Sequence, residues 1–68
     1  MDELDYQIYK TKIADQIKTT QPGPDGRLVI WKKGEPPELE RVMNELNAEG
    51  AFTEFLGTSD NWYIRRSP

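Results

Sequence analysis

Leu39-Glu40-Arg41-Val42-Met43-Asn44-Glu45-Leu46-Asn47-Ala48-Glu49-Gly50-Ala51-Phe52 is the stretch that decides the fold. Leu39, Val42, Met43 and Leu46 recur at spacings of three and four, which makes one apolar stripe on a helix over residues 37–49. Glu38, Glu40, Arg41, Glu45 and Glu49 occupy the other positions. Gly50 suits the left-handed residue that ends a helix. Beyond it, Phe52-Thr53-Glu54-Phe55-Leu56 and Trp62-Tyr63-Ile64-Arg65-Arg66 read as two strands of a hairpin, joined by Gly57-Thr58-Ser59-Asp60-Asn61. Alternation puts Trp62 and Ile64 on one side of the second strand and Tyr63 and Arg65 on the other.

Upstream, Pro36-Pro37 opens the helix, since a proline in the first turn gives up no needed donor. Before it, Leu28-Val29-Ile30-Trp31 reads as a short strand with Leu28 and Ile30 on one face and Val29 and Trp31 on the other. Gln21-Pro22-Gly23-Pro24-Asp25-Gly26 is a turn run. Residues 3–19 form a first helix with Tyr6, Tyr9, Ile13 and Ile17 on one face. Leu4 and Ile8 fall nearly opposite them, so this helix is expected to make a second apolar contact. A homodimer through Leu4 and Ile8 is one form of it; packing of the first turn against the chain's own sheet is the other.

The expected architecture is therefore a single α+β domain over residues 1–68, order α-β-α-β-β. Both helices lie on one face of a short, mainly antiparallel sheet. Apolar residues make up 35% of the chain, enough for one thin core and no second domain. The core is expected to centre on Leu39, Val42, Met43 and Leu46 with Ile13, Ile17 and Trp62.

The segment from residue 36 to residue 66 resembles the C-terminal half of winged-helix domains, in which a helix leads through a glycine into a two-stranded wing. That family has three helices, with a short strand between the first and second; Leu28–Trp31 stands in the place of that strand. Here one helix is missing, because Pro24 to Pro37 leaves no room for it beside the strand. The fold is then either a reduced winged helix or a plain α+β domain. The resemblance implies a DNA-binding transcriptional regulator with the last helix in the major groove. Arg41, Asn44 and Asn47 would then read bases, and Lys32, Lys33, Arg65 and Arg66 would form a basic ridge on phosphates. The charge opposes this: the helix carries four carboxylates against one guanidinium, which repel flanking phosphates.

With no cysteine and no histidine in the chain, disulfides, Cys/His zinc sites and imidazole or thiolate catalysis are excluded. No cofactor and no metal is expected. Glu45 and Glu49 share a helical face and are expected to face water. Ser59 and Asp60 have no base beside them to make a nucleophile, and the glycines lack the lysine and hydroxyl of a phosphate loop. An enzyme is not expected. The acidic start Met1-Asp2-Glu3-Leu4-Asp5 does not read as a signal peptide, and no run approaches a membrane span. A cytoplasmic protein is the expectation.

Two tryptophans, three tyrosines and two phenylalanines in 68 residues are more than one covered sheet face absorbs. Trp31, Phe55 and Tyr63, with Arg65 beside them, are therefore the candidate protein-binding residues, because exposed aromatics near an arginine fit an interface hot spot. The expected role is a non-catalytic module that binds another protein as adaptor, inhibitor or regulator. DNA binding is the alternative.

Overall fold

A computed structural model describes residues 1–67 of the chain. Five elements follow in the expected order: α1 (Glu3–Thr19), β1 (Leu28–Trp31), α2 (Glu38–Ala48), β2 (Phe52–Gly57) and β3 (Asn61–Arg66). The α+β assignment holds, and the sheet is antiparallel at both pairings, in the order β1-β3-β2.

Each helix starts and stops for a local reason. Asp2 caps α1, its carboxylate accepting the Asp5 N–H at 2.8 Å, which satisfies one of the orphan donors of the first turn. At Thr20 the backbone turns extended, two residues before Pro22. Helix α2 begins after Pro37 and ends at Gly50, whose φ is +80°. There the Ala51 N–H reaches the Leu46 carbonyl at 3.0 Å and the Gly50 N–H reaches Asn47 at 3.1 Å. This pair of bonds needs a residue without a Cβ at the turn. It aims the chain straight into β2.

Strand β3 is central because both neighbours pair with it: Leu28↔Ile64 and Val29↔Tyr63 on one side, Phe55↔Ile64 and Leu56↔Tyr63 on the other. The helices cover one face. Tyr6, Tyr9, Ile13 and Ile17 of α1 are buried with Leu39, Val42, Met43 and Leu46 of α2, over Leu28, Ile30, Phe52, Trp62 and Ile64. The expected core is the observed one, and Val42, Met43 and Ile64 are completely sealed from solvent.

One part of the strand reading needs correction. A register shift interrupts β2 between Phe52 and Glu54. Such a bulge adds a residue and reverses the faces beyond it. Phe55 therefore points to the helix side, its ring 5.3 Å from Phe52 and 6.2 Å from Trp62. It does not join Trp31 and Tyr63. Leu4 and Ile8 stay 70% and 62% exposed, so the first turn does not pack on the chain's own sheet. No helix among the described residues is long and apolar enough to cross a membrane.

Candidate protein-binding face

The face of the sheet turned away from the helices is open, and three rows of side chains cross it. Val29, Tyr63 and Leu56 stand in register across β1, β3 and β2. Trp31 follows on β1, opposite Asn61. The third row is charged: Glu54 pairs with Arg65 across the strands, and Arg27 precedes β1 beside them. Trp31 is 63% exposed, Leu56 51% and Val29 36%, while Tyr63 and Arg65 are half-buried.

The charged row is built around one carboxylate. The Arg27 Nε donates to Glu54 Oε2 at 2.9 Å, and the Arg65 Nε lies 3.4 Å from the same oxygen. The Arg27 hydrogen bond, with help from Arg65, holds the Glu54 carboxyl below its ordinary range. Two guanidiniums share the Glu54 carboxylate, and the Asp25 carboxylate accepts the Arg27 backbone N–H at 3.0 Å, so the charges at this end of the face balance. Gly26, with φ at +80°, turns the chain into this row, and the tip of Arg65 reaches over it. At the far end, Asn61 is buried yet satisfied, its amide oxygen accepting the Thr58 hydroxyl at 2.8 Å. That contact closes the hairpin and fixes the register that puts Tyr63 outward.

Three of the four candidate protein-binding residues, Trp31, Tyr63 and Arg65, share this face. Val29, Leu56, Arg27 and Glu54 complete it. Counting alternation back from the hairpin loop, rather than forward from Gly50, would have placed Leu56 and Glu54 here.

The residues proposed for DNA are scattered. Lys32 and Lys33 follow the end of β1, which lies beside the start of β3, whereas Arg65 and Arg66 sit at the end of β3. The two dipeptides are at opposite ends of the sheet, roughly 15 Å apart at strand rise, so no ridge forms. Lys32 lies 4.2 Å over the Trp62 ring and donates to the Thr58 carbonyl. Arg66 donates to the carbonyls of Ile17 and Lys18 at 2.9 and 2.6 Å. Arg41 lies over the Tyr6 ring at 3.8 Å, with its Nε 3.3 Å from Glu45. Asn44, Asn47 and Lys33 are exposed, with no side-chain hydrogen bond or ion pair among the described residues.

Glu45 and Glu49 do not simply face water. Glu45 accepts the buried Tyr6 hydroxyl. Lys10 bonds Glu49 at 2.6 Å and lies 3.8 Å from Glu45. The pair stitches α2 to α1. Burial, then the Glu45 hydrogen bond and charge, pushes the Tyr6 hydroxyl up to about 12; burial and Glu35 do the same for Tyr9. The Tyr6 hydrogen bond, with Lys10 and Arg41 nearby, holds Glu45 below its ordinary range. Among the described residues no cluster of acidic side chains gathers to hold a metal ion.

These shifts set a pH window. The folded chain holds its tyrosine protons more tightly than the unfolded chain, whose tyrosines titrate near 10.0. Stability is thus full below that pH and falls as the pH rises toward about 12. Glu45 and Glu54 work in the opposite sense: their contribution is present above the ordinary carboxylate value of 4.5 and is lost as the pH drops through their lower folded-state values. Urea midpoints measured across pH should form a plateau bounded on both sides. Tyr6→Phe should flatten the alkaline fall, and an unchanged alkaline limb in that variant would contradict the assignment.

No protein-family model matches the chain, and neither a curated protein nor a solved structure matches it. The functional reading rests on the chain's own chemistry.

Proposed function

We propose that the protein is a non-catalytic protein-binding module, an adaptor, inhibitor or regulator, that docks its partner on the open face of the sheet. The observation that carries this reading is Trp31, 63% exposed on the edge strand β1 beside Val29, Tyr63 and Leu56. Such a tryptophan gains a large apolar contact on binding and loses little conformational freedom. Arg65, already pinned by Glu54, offers its remaining donors at the rim.

Nucleic acid is the less favoured partner for a local reason. Of the five basic residues the DNA reading calls on, Lys32, Arg41, Arg65 and Arg66 have partners within the chain. Releasing those contacts would subtract from any phosphate affinity.

The test is affinity capture from a host lysate with the wild-type chain, Trp31→Ala and Lys33→Ala, each with and without nuclease. Trp31→Ala should weaken partner capture at least about tenfold, with the fold intact because Trp31 supports no core residue. Lys33→Ala and nuclease should change nothing. Capture that disappears with nuclease would overturn the protein-binding reading in favour of DNA.

A further inference from the structure

The outward side of α1 has no cover. Tyr6, Tyr9, Ile13 and Ile17 point into the core. At roughly 100° per residue, Leu4, Ile8, Thr11 and Asp15 form a row on the opposite side of the helix. Leu4 and Ile8 are 70% and 62% exposed there. Asp5 and Lys12 stand together on one flank of the row, about 20° apart around the axis. Both are exposed, and neither makes an ion pair with another side chain among the described residues. We infer that this side of α1 pairs two copies of the chain, helix against helix and antiparallel, about a two-fold axis at Ile8. The contact goes beyond the protein-binding reading, because it leaves the open sheet face of both copies free.

Charge selects the occupant, the direction and the register. A two-fold axis across an antiparallel pair of helices sets each flank beside the same flank of the other copy. With Ile8 on that axis, Asp5 stands within ~1.5 Å in height of Lys12 on the second copy, and Lys12 meets Asp5 in return. The two unpaired charges of one chain are thus complemented by the same two charges of another. A parallel pair would set this flank beside the opposite one, where no basic residue stands level with Asp5. Sliding the antiparallel pair until Leu4 meets Ile8 would overlap more apolar surface. It would also bring the two Asp5 carboxylates within ~3 Å in height, where they repel. In the favoured register Ile8 packs on Ile8, and Leu4 packs on Thr11 and the stem of Lys12.

The contact is isologous, so it closes at the dimer. The overlap spans about 15 residues of each helix, roughly 20 Å by 10 Å. That is about a quarter of the ~800 Å² per partner of a stable complex. The dimer is therefore reversible and fills only at high concentration.

Sedimentation velocity over a series up to about 1 mM tests this. The wild-type average mass should rise toward two chains and level there. Ile8→Lys should weaken association at least about tenfold, and Trp31→Glu should leave it unchanged. Lys12→Glu and Asp5→Lys should each weaken it about tenfold, since two attractive pairs become repulsive. A one-to-one mixture of those two should regain the dimer, because each charge again meets its opposite. All four positions are exposed, and urea midpoints check that the folds survive. Register has its own readout, because the chain contains no cysteine. Ile8→Cys should oxidise readily to a disulfide dimer: helices ~8–10 Å apart bring the two Cα atoms on the axis within bridging distance. Leu4→Cys should not, its two copies lying ~12 Å apart in height. A wild-type monomer throughout, growth past the dimer, a mixture that stays monomeric, or cross-linking at position 4 in preference to 8 would each overturn the proposal. Capture of a lysate partner by Ile8→Lys is read separately. If it survives while the wild type stays monomeric, the helix pairing fails and the protein-binding reading stands.

Discussion

Met43→Ala should cost about 2–5 kcal/mol, toward the top of that range, and Leu46→Ala should fall toward its lower end. Both residues sit on the buried stripe of α2, but their surroundings differ. Met43 is wholly sealed under both helices and the sheet, so removing its thioether leaves a void that neighbours cannot fill without moving an element. Leu46 is 5% exposed and already borders a hollow of about 370 Å³ lined also by Ala14, Ile17 and Ala51. Truncating it widens a recess that water can enter, and the cavity part of the cost shrinks. Domains of this length have roughly 3–10 kcal/mol of total stability. A loss of this size removes much of it, so Met43→Ala should be largely unfolded near body temperature while Leu46→Ala keeps a cooperative transition. Urea melts of both variants decide it through the midpoint at constant slope. Equal midpoint shifts would mean that the hollow does not relieve the Leu46 site, and a Met43→Ala shift under about 0.5 kcal/mol would remove it from the core.

The helical stripes and the turn glycines were legible because each is a local pattern. Tyr6, Tyr9, Ile13 and Ile17 announce themselves by spacing alone, and Gly50 by its position after the stripe. The four residues of β1 alternate without interruption, so Trp31 was placed outward correctly. Phe55 was not, because a bulge is a property of two strands: nothing in Phe52-Thr53-Glu54-Phe55 shows that β3 will oppose two of these residues with one. The same limit hides Leu56 and Glu54 from a count that starts at Gly50, whereas pairing runs without interruption from Gly57 back to Glu54. The roles of the basic residues were hidden for a different reason. A lysine or arginine with a long stem takes whatever partner the tertiary fold brings within reach. Here those partners are the ring of Trp62, the ring of Tyr6 and the end of α1, which lie 30, 35 and about 48 residues away in sequence.

Arg66 shows what such a residue does when it is read from its contacts. The last carbonyls of α1 have no intrahelical donors. Thr19 and Thr20 return their hydroxyls to Asp15 and Gln16 at 3.0 and 2.6 Å, which leaves Ile17 and Lys18 to be satisfied from elsewhere. Arg66 Nη1 donates to both, and its charge lies at the negative end of the helix dipole. The same side chain ties the last residue of β3 to the last turn of α1, so it closes the fold between its first and last elements. Arg66→Met keeps the length and apolar stem but removes the donors and the charge. It should cost about 1.5–3 kcal/mol, the range for hydrogen bonds made by a charged group. Arg66→Lys should cost less, because an ammonium keeps the charge at the helix end while losing the planar fork. Amide exchange should accelerate first in the C-terminal turn of α1, ahead of any change in α2, since that turn loses its clasp before the core is disturbed. Should Arg66→Met match wild type in urea while Arg66→Lys and Arg66→Met both abolish binding to duplex DNA, the clasp would be incidental and the residue would belong to a nucleic-acid surface. A stability loss that Lys partly restores, with exchange rising at the end of α1, places Arg66 in the architecture and leaves the open sheet face to Trp31, Tyr63 and Arg65.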